Sequence, residues 1–146
     1  MEFKKILVPI AGSAADEDAV KLACRLAKKD KGKVWTVYVI TIKRSLPVEA
    51  EIEPEIQKAE NILDRMLNVA EQQECEIETD VLQAREAGPA IIDEANEKAV
   101  DTILMGIQYK KRFGQFSLGD VIPYVLKNAA CRVMLYQQQM TEIDDK

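Results

Sequence analysis

An α/β fold, a parallel sheet with helices on both faces, is the architecture this sequence predicts, and three observations predict it. Short apolar or β-branched runs recur five times along the 146 residues, as strands buried on both faces do. Stretches with apolar residues at helical spacing separate them. The two kinds of segment alternate from end to end, which calls for parallel pairing through right-handed crossovers.

The elements follow in order. "KKILVPI" (4–10) is the first strand. Ser13 is placed to N-cap the first helix, with Asp16 completing a variant of the capping box. Ala19, Val20, Ala23, Leu26 and Ala27 carry that helix to about Lys29, and Gly32 closes it. "KVWTVYVITI" (33–42) is β-branched and aromatic, hence the second strand. After a polar connection with Pro47 and Pro54, the spacing of Ile56, Ala59, Ile62, Leu63, Met66, Val69 and Ala70 marks a long second helix.

"CEIETDVLQA" (75–84) mixes acidic residues with Ile77, Val81 and Leu82, as a strand near a sheet edge does. The third helix has Pro89 where a first turn tolerates it, with Ile91, Ile92 and Ala95 inward. "VDTILMG" (100–106) is the fourth strand, "DVIPYVLKNAA" the last helix and "CRVMLY" (131–136) the fifth strand. Residues 1–137 read as one domain, and 138–146 as a polar C-terminal tail.

Composition excludes several classes of function. A net charge of −5 argues against a nucleic-acid partner, and the basic triplet Lys110-Lys111-Arg112 is too small to reverse that. The apolar runs fall far short of the roughly twenty residues a membrane helix needs, and "MEFKKILVPI" does not resemble a signal peptide. A cytoplasmic location away from membranes is expected. Cys24, Cys75 and Cys131 form no CxxC motif and read as small buried hydrophobes. Histidine is absent, which rules out Ser-His-Asp and Cys-His catalysts. No other nucleophile with an activating partner is visible, so an enzyme is not expected.

In parallel α/β sheets ligands bind at the carboxyl ends of strands, where the winding reverses. That brings together "PIAGS" after the first strand and "GIQYKKRFGQFSLGD" (106–120) after the fourth. The second segment is a basic loop with glycine near each end, before a helix, an arrangement many proteins use to hold phosphate.

Three segments together resemble the universal stress protein family: "KKILVPIAGSAADEDAV", "EAGPAIIDEANEKAVDTILMG" and "GIQYKKRFGQFSLGDVIPYVLKNAACRVML". The resemblance implies a flavodoxin-like five-stranded parallel sheet, in the order 3-2-1-4-5. It also implies a stress-response role and a homodimer made by last strands pairing antiparallel. The pattern of "CRVMLY" agrees with the dimer, because an apolar edge strand seeks a partner. The residues concerned are Arg132, Val133, Met134, Leu135 and Tyr136.

Nucleotide-binding members of that family carry glycine, two residues, glycine, nine residues, glycine, then serine or threonine, with an aspartate just after the first strand. Gly106 and Gly119 match the first and third glycines, with the loop length preserved. Tyr109 stands in place of the second glycine, Asp120 in place of the hydroxyl residue, and Ala11 in place of the aspartate. Ile10, Val39 and Met105 occupy further positions of the family site and remain apolar.

Each departure opposes a bound nucleotide. A tyrosine ring obstructs close approach to the backbone. Asp120 can cap the last helix with its own carboxylate and repel an arriving phosphate. Ala11 removes a polar anchor. The expectation is therefore a dimeric adaptor or regulator with weak or absent ATP binding and no cofactor. The alternative is ATP or AMP bound with Mg²⁺ through the loop after the fourth strand.

Overall fold

A computed structural model of the chain describes residues 1–108, 111–112, 115–116 and 119–138. The elements are β1 (Lys5–Ile10), α1 (Ala15–Lys29), β2 (Lys33–Thr41), α2 (Glu53–Gln72), β3 (Ile77–Ala84), α3 (Ala87–Lys98), β4 (Thr102–Ile107), β5 (Lys111–Arg112), β6 (Gln115–Phe116), α4 (Val121–Asn128) and β7 (Arg132–Gln137). Five strands form one parallel sheet in the order β3-β2-β1-β4-β7. Counting only its own strands, that order is 3-2-1-4-5, the flavodoxin-like topology.

The sheet divides the apolar side chains by strict alternation. Ile6, Val8 and Ile10 of β1 point to one face and pack with Val34 and Leu104 against Ala19, Val20 and Ala23 of α1 and Ile62, Leu63 and Met66 of α2. Leu7 points to the other face, joining Trp35, Val37, Ile103 and Met105 beneath Ile91 and Ala95 of α3 and Val125 of α4. Burial on both faces is why the central strands read as continuous apolar runs. The edge strands differ: no residue of β3 or β7 is fully buried.

Four local details depart from the sequence reading. Residues 106–120, read as one loop, contain a short antiparallel hairpin in which Lys111 pairs with Phe116 and Arg112 with Gln115. The strand read from Cys75 starts two residues later, at Ile77. Ser13 does not cap α1 with its side chain; the N-cap is Ala14, in helical dihedrals and without a side-chain cap. Gly32 is not the left-handed residue ending α1, since Lys31 takes that conformation (φ 52°). Gly32 instead donates its amide to Ala27 at 2.7 Å and lies where an added Cβ would strike the Phe3 carbonyl oxygen. Of the tail, Gln138 still donates its amide to the Ile107 oxygen at 2.9 Å. Residues 139–146 lie outside the described residues.

At the opposite end of the sheet, Asp101 ties three strands together. Its carboxylate accepts from the amides of Lys4 (2.8 Å) and Lys5 (2.9 Å), from the Thr102 hydroxyl (2.9 Å) and from the Arg132 guanidinium (3.2 Å). Arg132 also donates to the Glu2 carbonyl and lies over the Phe3 ring, 4.5 Å from its centre.

Candidate functional site

A cavity of about 360 Å³ opens at the carboxyl ends of the central strands, where the winding reverses between β1 and β4. Pro9, Ile10 and Ala11 form its floor, with Val37–Val39 of β2 beside them and Met105–Gly106 of β4 opposite. Ala87 and Ile91 of α3 and the segment Gly119–Ile122 at the start of α4 complete it. Chain topology explains the place, because consecutive crossovers leave here on opposite faces and part.

Seven of the eight residues singled out from the sequence line this one cavity: Ile10, Ala11, Val39, Met105, Gly106, Gly119 and Asp120. Tyr109 lies outside the described residues. Ile10 and Met105 are also buried core residues, and Val39 packs against the core beneath α3 and α4. Their apolar character thus has a structural cause whether or not anything binds.

The two glycines do different work. Gly106 sits where an added Cβ would approach the Ala15 carbonyl oxygen at 2.6 Å, so its missing side chain lets β4 meet the start of α1. Gly119 has φ +70° with nothing within 4 Å of an added Cβ. Its requirement is conformational, a left-handed turn into α4.

Asp16, assigned only a capping role from the sequence, proves to shape the loop beside the cavity. It is 1% exposed. Its carboxylate accepts the amide of Ala11 at 3.1 Å and that of Gly12 at 2.8 Å. Burial pushes its pKa above the usual carboxylate value, against the lowering effect of the Ala11, Gly12 and Ser13 amides and the Arg65 charge. The signal available in the sequence was a carboxylate shortly after a glycine turn, where Asp side chains bond nearby backbone amides.

Asp120 corrects the sequence expectation. It is exposed, it is the N-cap of α4 by position, and its backbone is helical (φ −98°, ψ −29°) with no side-chain cap bond. A capping side chain reaches the first-turn amides from an extended backbone, which Asp120 does not adopt. Its carboxylate therefore remains at the mouth of the cavity instead of being absorbed by the helix.

Whether a nucleotide suits these walls can be judged from their chemistry. Among the described lining residues, Tyr38 and Asp120 alone carry polar side-chain groups, and none is a cation. The volume is near the lower end of the range of about 300–1,000 Å³ for small-molecule sites. A flat ring and a sugar fit such walls. Asp120 opposes a phosphate: at about 4 Å from it each negative charge is disfavoured by on the order of 1 kcal/mol in water, and several times that when shielded. Among the described residues no group of three or more Cys, Asp or Glu converges to hold a metal ion, and no helix is long and apolar enough to cross a membrane.

The family model of the universal stress protein family matches residues 2–137. The chain belongs to this family. A universal stress protein of Methanocaldococcus jannaschii is 32% identical over 146 aligned residues, covering 96% of this chain and 85% of that protein. Among solved structures, a universal stress protein from Archaeoglobus fulgidus superposes with a TM-score of 0.77 at 21% identity, covering 91% of this chain and 98% of that one. The structure of the universal stress protein from the same organism in complex with dAMP gives 0.73 at 22% identity, covering 92% and 98%. These structural likenesses concern the universal stress protein fold.

Proposed function

We propose that this universal stress protein is a stress-response adaptor or regulator that does not hold ATP stably and works as a homodimer by binding, without catalysis. The observation carrying the reading is the joint placement of Ala11 and Asp120 on one cavity. A carboxylate stands where the family places a hydroxyl, and a methyl group where it places a carboxylate. The homodimer rests on β7, whose Arg132, Val133, Met134, Leu135 and Tyr136 run along the sheet edge opposite β3. Arg132 is already engaged by Asp101 within the chain, so backbone pairing and residues such as Leu135, 40% exposed, make the contact.

The test is direct. The purified protein is denatured and the supernatant analysed for adenine nucleotide, then native protein is titrated with Mg-ATP. Copurified ATP or micromolar affinity overturns the reading.

A second reading, a nucleotide-binding member, has two observations in its favour. The cavity persists at the family's position, and the Archaeoglobus fulgidus relative was solved with dAMP. In that reading ATP or AMP binds with Mg²⁺ offsetting Asp120. Absence of binding with and without Mg²⁺ ends it.

A further inference from the structure

The cavity keeps walls for a ring and a sugar, but its described lining offers an anion no positive charge. We propose that Asp120 makes the cavity selective for an uncharged nucleoside over the corresponding nucleotides, with the sugar hydroxyls donating to its carboxylate. This rests on reading the cavity as the family's nucleotide position.

Two observations support it. The floor and sides, Pro9, Ile10, Val37, Val39, Ile91 and Met105, are apolar and suit a planar base. At the opening, Asp120 is exposed and makes no cap bond to α4. A carboxylate not bound to its own helix is an acceptor for hydroxyl donors, and a charge-assisted bond of this kind is stronger than one between neutral groups. Among the described lining residues, Asp120 is the one that carries a charge.

The same carboxylate acts oppositely on two ligands. It accepts hydrogen bonds from a neutral sugar and repels a phosphate attached to that sugar. Discrimination arising from charge weakens as salt screens it, whereas discrimination arising from shape does not.

The experiment is calorimetric titration of the full chain with adenosine, AMP and ATP, at low and high salt, for the wild type and for Asp120→Asn. The variant keeps the size and an acceptor oxygen while removing the charge. Adenosine is expected to bind the wild type at least about tenfold more tightly than ATP, with AMP between, and the gap to narrow at high salt. Asp120→Asn is expected to weaken adenosine about three- to tenfold by removing the charge-assisted acceptor and to strengthen ATP, shifting the ATP-to-adenosine affinity ratio at least about tenfold toward ATP. The inference is overturned if the variant leaves the ratio unchanged, if the gap ignores salt, or if none of the three ligands binds. Absence of all binding leaves the adaptor reading standing. Tight ATP binding by the wild type overturns both.

Discussion

Gly106 and Ala15 meet where the carboxyl end of β4 passes the start of α1, so closely that a Cβ on Gly106 would lie 2.6 Å from the Ala15 carbonyl oxygen. Backbone, not a yielding side chain, occupies the space, so Gly106→Ala must push α1 away from the sheet. Overpacking of that kind costs about 1–3 kcal/mol, and urea denaturation should show it as a lower midpoint at unchanged slope. Gly119→Ala has open space but a positive φ, and should cost about 1–2 kcal/mol through backbone strain. A Gly106→Ala protein as stable as wild type would disprove the packing role.

These two glycines also show how far the sequence could be read. Apolar runs marked the five sheet strands and helical spacing the four helices, because the central strands bury both faces, as Ile6 and Leu7 show, and each helix buries one. The resemblance to the family motif pointed to seven residues that line the cavity. What spacing did not reveal was why each glycine is there: Gly106 answers to Ala15, 91 residues away in the chain. Asp16 and Asp120 were misjudged for a related reason. Whether a carboxylate caps a helix depends on local dihedrals and on nearby amides, and residue type alone leaves both open.

Asp16 holds the turn after β1 by accepting the Ala11 and Gly12 amides from a position 1% exposed. Asp16→Ala removes both bonds and leaves the amides without their carboxylate, which should lower stability by about 1–3 kcal/mol. Asp16→Asn keeps one acceptor oxygen and should recover part of that loss. Thermal or chemical denaturation of the two variants decides it; equal stability of Asp16→Ala and wild type would show that the turn does not need the side chain.

Asp101 should make stability depend on acid. Burial pushes its carboxyl up, but the Thr102 hydroxyl, the Lys4 and Lys5 amides and the Arg132 charge prevail and hold it below the usual value. A carboxylate depressed in the folded state stabilises the protein above its unfolded value, about 3.9, and loses that contribution as pH falls through the folded value. Asp101→Asn should therefore cost about 1–3 kcal/mol at neutral pH, with the gap to wild type closing below about pH 4. A gap that stays constant down to pH 3 would locate the effect in shape instead of charge.

The β7 edge tests the homodimer. Leu135 is 40% exposed on a strand whose inner neighbour is β4, paired from Thr102–Arg132 to Ile107–Gln137. On the far side lies no other strand of the described sheet. Natural sheets protect such edges with charge, lysine above all, and β7 places an apolar residue there. Leu135→Lys should convert the dimer to a monomer while leaving the fold intact, because the side chain already faces water and loses little packing within its own subunit. Light scattering after size exclusion should give twice the chain mass for wild type and the single-chain mass for the variant, with the same far-ultraviolet dichroism. Wild-type protein that runs at single-chain mass at micromolar concentration would remove the dimer from the proposed function.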